Sequence, residues 1–408
     1  MVVRTNVSGA ERDAGLIFMK PGDLSAALAK LEAGFLKRER KTPGNPCGPQ
    51  MLLNGRKLIA FASNDYLGLA NDAALKKGAT EAIEAWGVGA GASKLVSGRL
   101  GIFETLERTC AEFAQREAAV FFPSGFLANL GVLTALADRH DVIFADRINH
   151  ASLIDGALLS RAQHVRYQHA DIEDLASKLA NTPVASGSTR LIVTDSVFSM
   201  DGDEAPLEAL MALALQYDAW LIVDDAHGLG VLGPQGRGSI ADAGLKPHPN
   251  LVMVGTLGKA AGVSGAFVAG SKDLVEWLIQ RARSYIYTTG ASPMIAGALL
   301  ASFERILHGD ELRSRLQNNI RTFRSGITAL NLPYTLLPSR TGIQALIIGD
   351  NETTLHIASS LLDQGFWVPA IRPPTVPAGA ARLRISLSAA HTPAHVQGLV
   401  NAIGLACA

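Results

Sequence analysis

The 408-residue sequence has few cysteines, no excess of either charge and no very long apolar run. Its three cysteines, Cys47, Cys110 and Cys407, lie far apart without CxxC spacing, which favours reduced, structural thiols over disulfides or a metal site. The 37 basic and 37 acidic residues cancel, so no charge excess points to nucleic acid or an anionic membrane as a partner. No stretch is apolar over membrane-spanning length, and residues 1–15 lack the apolar core of a signal peptide. We therefore expect a soluble, cytoplasmic protein.

The centre of the sequence contains a series of alternating strand-like and helix-like segments. Five apolar runs predict strands at Ala119–Phe122, Val142–Ala145, Leu191–Thr194, Trp220–Val223 and Leu251–Val254. Helical patterns such as Leu127–Ala137 and Leu207–Tyr217 separate them. Because these runs are apolar throughout rather than alternating, both faces of each strand are predicted to be covered. The pattern indicates an α/β fold with an open, mostly parallel sheet flanked by helices.

The two ends of the chain differ from this central region. Residues 1–58 mix charge with proline and glycine and predict a helical arm at Leu24–Glu39 followed by a loop. Residues 59–292 make up the predicted large domain. After Pro293 a long helical region leads to strand-like segments at Gln344–Gly349 and Arg382–Ser388, so residues 293–408 predict a smaller α+β domain.

The segment Gly255–Gly265 sets Lys259 among glycine and other small residues. Small neighbours let a flat ligand approach a lysine amine closely, and lysine is the side chain that forms imines with carbonyl compounds. Upstream, the run ending at Val223 is followed by Asp224 and, three residues later, His227. An acid there could hold a protonated ring nitrogen, and the histidine could touch the same ring. Together these residues indicate pyridoxal phosphate as the cofactor.

Competing interpretations of the same residues have specific weaknesses. A lysine among glycines is commonly a solvated loop residue, but apolar neighbours predict a desolvated amine with a lowered pKa. A GxxxxGK[ST] phosphate loop fails because Ala260 follows Lys259. A metal would need a third clustered ligand, and none is evident. Two buried acids, Asp224 and Asp225, imply a cationic partner, which a structural arginine or a protonated pyridine nitrogen would supply.

Polar residues also follow the other predicted strands, where ligands of such sheets bind. Ser124 and Gly125 open a helical pattern and could offer N–H groups to a phosphate ester, or form an ordinary helix cap. His150 opens the next helix, where it could stack on a flat ring or simply cap the helix. Ser199 could bond a ring hydroxyl, whereas Asp201–Gly202 indicates a turn. Polar groups at five strand ends predict a single ligand site.

Two weaker signals lie outside these strand ends. The glycine-rich segment Gly87–Gly98 predicts tight backbone rather than a dinucleotide-binding loop, because no clear strand precedes it. Arg382 and Arg384 alternate with apolar residues on a predicted strand. Arg384 could therefore bind a carboxylate in a cleft, or form a surface ion pair.

Several blocks of the sequence resemble the α-oxoamine synthase family. They are SNDYLG at 63–68, TDSVFSMDG at 194–202, VDDAHGLG at 223–230, TLGK at 256–259 and AIRPPTVPAG at 370–379. The resemblance implies a fold-type I pyridoxal-phosphate enzyme that forms a homodimer with its active site at the subunit interface. Ile371–Gly379 indicates the branch that condenses L-alanine with pimeloyl-CoA or pimeloyl-acyl carrier protein in biotin biosynthesis.

The same resemblance implies roles for individual residues. Lys259 would bind the cofactor covalently, Asp224 would pair with the pyridine nitrogen, and His150 would stack on the ring; these are the implied catalytic residues. Backbone at Gly125 and Phe126 and the side chain of Thr256 would contact the phosphate, Ser199 and His227 the phenolic oxygen side, and Thr288 and Thr289 the partner subunit's phosphate. Implied substrate contacts are Arg38, Asn64, His150, Thr375 and Arg384, with Arg384 at the amino-acid carboxylate and Arg38 and Thr375 at the acyl group.

One loop departs from the family, and several functions stay open. Within Gly89–Gly98, relatives tend to have smaller or arginine-bearing residues near Lys94 and Leu95, so acyl-chain and carrier preference are open. A sibling acyltransferase that uses glycine or serine with another acyl-CoA is one alternative. An aminotransferase or aldol-type lyase on the same scaffold is a second. A non-enzymatic partner subunit is a third, and the presence of the lysine, aspartate and histidine argues against it.

Overall fold

A computed structural model describes residues 20–407 of the protein, and within them the chain forms fourteen strands and fourteen α-helices. The strands are β1 (Gln50–Leu53), β2 (Arg56–Ala60), β3 (Ala118–Phe122), β4 (Val142–Asp146), β5 (Gln163–Tyr167), β6 (Arg190–Asp195), β7 (Trp220–Asp224), β8 (Leu251–Thr256), β9 (Ala266–Gly270), β10 (Thr335–Leu336), β11 (Ile343–Gly349), β12 (Phe366–Trp367), β13 (Ala370–Ile371) and β14 (Ala381–Ser386). The helices are α1 (Leu24–Ala33), α2 (Ala73–Trp86), α3 (Gly101–Ala114), α4 (Gly125–Leu136), α5 (Ala151–Ser160), α6 (Ile172–Asn181), α7 (Leu207–Gln216), α8 (Ser239–Asp242), α9 (Lys272–Arg281), α10 (Arg283–Ile286), α11 (Pro293–Leu307), α12 (Asp310–Ala329), α13 (Asn351–Asp363) and α14 (Pro393–Ala406).

Seven strands form the central sheet, in the order β3-β9-β8-β7-β6-β4-β5. Strands β5, β4, β6, β7 and β8 run parallel, and β9 lies antiparallel between β8 and β3. Alternate residues of each strand pack into two different cores: Leu191 and Val193 face one side with α4 and α5, and Ile192 faces the other with α7 and α11. Both faces are thus covered, which confirms the predicted α/β architecture.

All five predicted strands are present, each one or two residues longer than its apolar run. The sheet also contains β5 and β9, which the sequence pattern did not reveal. Strand β5, with the sequence QHVRY, lies at the edge of the sheet and has only one fully buried residue, so it needs no apolar run. The predicted helices α4 and α7 are confirmed with shifts of one or two residues at their ends.

The N-terminal region differs from its prediction. Helix α1 ends at Ala33 instead of continuing to Glu39, because Gly34 closes the last turn and Phe35 adopts a left-handed conformation with φ 56°. The predicted loop contains the hairpin β1–β2, whose two-residue turn Asn54–Gly55 has positive φ at both positions. Strand β12 pairs in parallel with β2 and so joins this hairpin to the C-terminal part of the chain.

The C-terminal part contains a four-stranded antiparallel sheet in the order β10-β11-β14-β13, packed with α12, α13 and α14. The predicted strand-like segments at 344–349 and 382–388 correspond to β11 and β14. The boundaries at residues 58 and 292 stay a prediction. Between residues 20 and 407, none of the helices combines the length and apolar character needed to cross a bilayer.

Candidate active site

The carboxyl ends of β6, β7 and β8 bring several sequence-predicted residues to one edge of the sheet. Asp195 and Asp224 are opposite each other in neighbouring parallel strands, at the last residue of each. Thr256 ends the next strand, and Lys259 follows in the turn after it. Strand order therefore places an acid pair, a hydroxyl and an amine side by side, where such sheets bind ligands.

Asp224 is buried, and the chain provides a partner for each of its carboxylate oxygens. Asn129 Nδ2 donates to Oδ2 at 2.6 Å, and the backbone N–H of Ala226 donates to Oδ1 at 3.0 Å. Neither partner is a cation. The carboxylate can therefore accept a further hydrogen bond from a protonated ring nitrogen, because each oxygen has two lone pairs.

The neighbouring acid, Asp225, corrects one prediction, since it needs no cation. The hydroxyls of Ser196 and Ser239 each donate to it at 2.7 Å, and the backbone N–H of Ser239 donates at 2.8 Å. Burial raises the pKa of Asp225 to about 6 despite these hydrogen bonds. Hydrogen bonds from two hydroxyls and one backbone N–H therefore stabilise this carboxyl group in place of a cation such as a structural arginine.

Lys259 places an amine close to both carboxylates at the strand ends. Burial lowers the pKa of this amine, while the charges of Asp224 and Asp195 act in the opposite direction. Burial and the neighbouring Asp224 hold the pKa of Asp195 well above its usual range. The sequence motifs assign no role to Asp195; its place at the end of β6, beside the end of β7, is the signal that identifies it.

A cradle for a phosphate group forms where β3 leads into α4. Ser124 caps the helix, its hydroxyl accepting from the N–H of Leu127 at 3.2 Å. A Cβ atom on Gly125 would lie 2.3 Å from Thr256 Cγ2, so only glycine allows this contact. Thr256 Oγ1 is buried without a hydrogen-bond partner, and the first N–H groups of α4, including that of Phe126, lie at the helix N-terminus. An unpaired hydroxyl beside a helix N-terminus fits an anionic oxygen.

Arg384 connects two other predicted site residues, Asn64 and Ser199. It is buried; its Nη2 donates to Asn64 Oδ1 at 3.1 Å, and its Nε donates to the backbone oxygen of Ser199 at 2.5 Å. Its Nη1 donates to Ser386 Oγ at 2.7 Å. The surface ion pair considered for Arg384 is not formed; the ion pair on this strand belongs to the buried Arg382, which pairs with Asp201. Arg384 therefore carries its positive charge into the site.

Tyr66 is a further site residue that the sequence analysis did not single out. Its hydroxyl lies 2.7 Å from His227 Nδ1 and donates to Asn64 Oδ1 at 3.2 Å. Burial raises the pKa of Tyr66 to about 12, although Arg384 opposes the shift. Burial, Lys259 and Arg384 hold the pKa of His227 well below its usual range. His227 is therefore neutral in the site. The position of Tyr66 inside the SNDYLG block at 63–68 could have drawn attention to this tyrosine.

The two residues implied as acyl contacts, Arg38 and Thr375, lie in contact with each other. Arg38 Nη2 donates to Thr375 Oγ1 at 3.3 Å, and Arg372 donates to the backbone oxygen of Phe35. The arm that follows α1 is thus held against the segment 371–379. Arg38 remains exposed to solvent.

Thr288 and Thr289 lie apart from these groups and pair with the glycine-rich segment. Thr289 forms an antiparallel bridge with Ser93, and the N–H of Gly290 donates to the oxygen of Ala92 at 2.9 Å. Neither threonine side chain makes a hydrogen bond to another candidate site residue within the described chain. Gly87–Gly98 is tight backbone, as predicted, and includes a π-helical turn at Lys94–Gly98.

Within residues 20–407, no three His, Cys, Asp or Glu side chains are grouped in a way that could hold a metal ion. The three cysteines are free thiols, of which Cys110 is buried and Cys47 exposed.

Comparison with known proteins agrees with this geometry. A family model described as aminotransferase class I and II matches residues 56–403. An 8-amino-7-oxononanoate synthase of Azoarcus sp. (strain BH72) is 54% identical over 380 residues, which cover 93% of this chain and 96% of that one. Another from Herminiimonas arsenicoxydans is 53% identical over 384 residues, covering 93% and 98%.

Among solved structures, the fold is similar to that of a serine palmitoyltransferase from S. paucimobilis with a bound PLP–myriocin aldimine. The TM-score is 0.88 and the identity 30%, covering 94% of this chain and 96% of the other. The resemblance found in the motifs is thereby confirmed, and the chain belongs to the aminotransferase class I and II family and, within it, to the group of the 8-amino-7-oxononanoate synthases.

Proposed function

We propose that this chain is a pyridoxal-phosphate enzyme that condenses L-alanine with a pimeloyl thioester. The products are 8-amino-7-oxononanoate, carbon dioxide and the free thiol of coenzyme A or of an acyl carrier protein, a step of biotin biosynthesis. Relatives with that name align over 93% of the chain at 53% and 54% identity. The observation that carries the proposal is the Lys259 amine beside Asp224 and Asp195, next to the unpaired hydroxyl of Thr256.

The residues at the strand ends fit pyridoxal phosphate. When bound, the cofactor supplies an aldehyde that reacts with amines and a cationic ring that stabilises negative charge on the substrate. Gly125, Phe126 and Thr256 would hold its phosphate. Asp224 would keep the ring nitrogen protonated, since an ionised acid in a buried site favours a neighbouring cation.

The faces and edges of the cofactor ring have candidate partners as well. His150 would stack on the ring, and His227 and Ser199 would lie at its phenolic oxygen. Lys259 would hold the cofactor first and, once released by the amino acid, would accept the proton from the alanine α-carbon. Its lowered pKa favours the neutral amine that this step requires.

Arg384 and Asn64 would position the carboxylate of alanine. Arg384 is buried and already oriented by Asn64 and Ser199, so little side-chain freedom is lost when a carboxylate binds. Arg38 and Thr375 would contact the acyl group, and their mutual hydrogen bond places a cation and a hydroxyl together.

A homodimer with its active site at the interface is part of the proposal. Val88, Leu95, Val96 and Tyr287 expose between 52% and 79% of their surface on two segments that pair with each other next to Thr288–Thr289. A patch of this kind supports an interface, because a second copy would cover it. Thr288 and Thr289 would then reach the phosphate of the partner's cofactor.

We place the reaction in the cytoplasm as part of the same proposal. The thiols of Cys47, Cys110 and Cys407 are all unpaired, which fits a reducing compartment.

The direct test is product identification by mass spectrometry from L-alanine and pimeloyl-CoA, with thiol release followed in parallel. The proposal expects carbon dioxide, free thiol and 8-amino-7-oxononanoate, all lost in Lys259→Ala. Thiol release excludes an aminotransferase or an aldol-type lyase, which would leave the thioester intact. Absence of product with both pimeloyl-CoA and pimeloyl-acyl carrier protein would refute the proposal.

A serine-using acyltransferase is the second candidate, because one of the similar solved structures is a serine palmitoyltransferase. Its 30% identity is well below the 54% shared with the 8-amino-7-oxononanoate synthase of Azoarcus. Alanine, glycine and serine should be compared with pimeloyl and palmitoyl thioesters. A preference for serine with palmitoyl-CoA would favour the second candidate over the first.

A further inference from the structure

His150, an exposed residue, is connected to Asp224 by a chain of hydrogen bonds through two buried side chains. Asn129 Nδ2 donates both to Asp224 Oδ2, at 2.6 Å, and to Ser152 Oγ, at 2.8 Å. Ser152 Oγ lies 2.7 Å from His150 Nδ1. Asn129 and Ser152 are 1% and 0% exposed, so water does not compete for the two hydrogen bonds that Asn129 donates.

The direction of each hydrogen bond follows from the acid at the end of the chain. An ionised Asp224 only accepts hydrogen bonds, so Asn129 must turn its NH₂ group towards it and, with the other hydrogen, towards Ser152. Ser152 Oγ therefore accepts from Asn129, and its own hydrogen is free to point to His150 Nδ1. The backbone N–H of Ser152 also donates to Nδ1, at 3.3 Å. Two donors meet one ring nitrogen, which must carry no hydrogen.

We propose that Asn129 and Ser152 are positioning residues that hold His150 as the neutral tautomer with its hydrogen on Nε2. In this tautomer Nε2 donates a hydrogen bond to the bound substrate, and the ring takes up no proton during the reaction. The inference rests on the proposed function for the identity of that substrate, but the tautomer itself does not depend on it.

The electrostatic surroundings of the ring agree with a neutral imidazole. Burial lowers the pKa of His150, and so does the nearby amine of Lys259, while Asp224 and Asp155 act in the opposite direction. Asp195 faces the backbone, where its Oδ2 accepts from the N–H of His150 at 2.6 Å. The lysine amine is then the group left to take the α-proton, and the histidine provides a fixed donor.

The tautomer can be measured directly in the full-length protein without cofactor. Histidine-selective ¹⁵N labelling and long-range ¹H–¹⁵N correlation NMR distinguish the two ring nitrogens, and His150→Gln identifies the relevant signal among ten histidines. The proposal expects a bare Nδ1 and a protonated Nε2 near neutral pH. A hydrogen on Nδ1, alone or together with one on Nε2, would overturn it.

Variants of Ser152 test whether the chain sets this tautomer. Ser152→Ala should give a mixture of tautomers and lower kcat about 10- to 100-fold, the usual effect of losing a group that orients a reacting residue. Ser152→Thr keeps the hydroxyl and should restore both properties. Ser160→Ala removes a buried hydroxyl from the same helix, where Ser160 bonds only the neighbouring backbone, and should match the wild type. An unchanged tautomer and kcat in Ser152→Ala would refute the positioning role.

Asn129→Ala provides a second route if Ser152→Ala does not fold, because it leaves the serine and the histidine in place. Loss of the amide should let Ser152 rotate, and the NMR signal should again show a mixture; an unmixed Nε2–H signal would contradict the proposal. A wild-type protein that makes no product would refute the proposed function, and the tautomer measurement would still decide this inference.

Discussion

Two lysines, the buried Lys94 and the half-buried Lys259, occupy regions of the molecule that differ in what they offer an amine. Lys94 donates to the backbone oxygen of Phe121 and lies 4.4 Å from the ring centroid of Tyr285. Burial lowers its pKa to about 8. Lys259 also has a pKa lowered by burial, but its amine makes no hydrogen bond within the described chain and faces Asp224 instead.

Whether the amine already has partners within the protein separates the structural Lys94 from the reactive Lys259. The ammonium of Lys94 is satisfied by a carbonyl and by ring faces, so a ligand would have to displace contacts that already exist. Around Lys259 the chain leaves groups without partners, among them the hydroxyl of Thr256. A shifted pKa is common to both lysines and identifies neither; the unsatisfied neighbours identify the site.

The largest expected effect is the loss of turnover when Lys259, but not Lys94, is replaced by an apolar residue. Lys259→Ala should lower turnover by about 10⁴-fold or more, because it removes the amine on which several steps depend. Lys94→Met should leave kcat within about threefold and change the free energy of unfolding by about 1–2 kcal/mol, as expected for a buried hydrogen bond. Turnover assays and urea denaturation measure both quantities.

Borohydride treatment sharpens this first comparison. In the wild type it should fix the cofactor to the peptide that contains Lys259, and mass spectrometry should find no such adduct at Lys94. Cofactor fixed at Lys94, or full turnover in Lys259→Ala, would remove the distinction between the two lysines.

A second comparison, between Asp224 and Asp225, has a smaller expected effect on kcat. Asp224→Asn should lower kcat about 10²- to 10³-fold, because a neutral amide cannot stabilise a protonated ring nitrogen. Asp225→Asn should lower kcat far less, since Asp225 contacts only Ser196, Ser239 and backbone. Steady-state kinetics at saturating cofactor would show the difference, and equal losses in both variants would contradict it.

The pH dependence of the free energy of unfolding should instead single out Asp225, which has only a small expected effect on kcat. Its pKa is about 6 in the folded chain against 3.8 for the free side chain, so the folded state keeps its proton longer as pH rises. This group therefore reduces stability between pH 3.8 and 6, by about 3 kcal/mol in total. Asp225→Asn should remove that decline, measured as the difference in urea midpoint from the wild type between pH 4.5 and 7.5. Parallel curves for the two proteins would exclude the assignment.

The sequence predicted the strand ends well because buried parallel strands leave an uninterrupted apolar run that stops where the polar residue begins. Asp224, Thr256 and Lys259 could be placed for that reason. Strand β5 could not, because an edge strand with the sequence QHVRY has no apolar run. The position of Ser196 and Ser239 around Asp225 could not be predicted either, since 43 residues separate these serines in the chain.

For contacts between distant segments, the family resemblance named both residues of two pairs but did not predict that they touch. Arg384 with Asn64 and Arg38 with Thr375 were each assigned to a substrate, and each pair is in contact although more than 300 residues separate its members. Asn129 lacked such a signal, because a buried asparagine in an apolar helix resembles ordinary core packing. Tyr66 lies in the SNDYLG block, but the resemblance named only Asn64 there.

The smallest expected effect belongs to Arg38, whose contact with Thr375 is exposed to water. Arg38→Ala should raise KM for the pimeloyl thioester about 3- to 10-fold and leave kcat and KM for alanine nearly unchanged, because solvent weakens an exposed hydrogen bond to about 1 kcal/mol. Arg40→Ala removes a neighbouring arginine for which no hydrogen bond or ion pair is found within residues 20–407, and serves as the control. Because counter-ions screen exposed charges, the KM effect should also shrink as salt is raised. A fall in kcat as large as that of Asp224→Asn would instead place Arg38 among the buried, reacting groups.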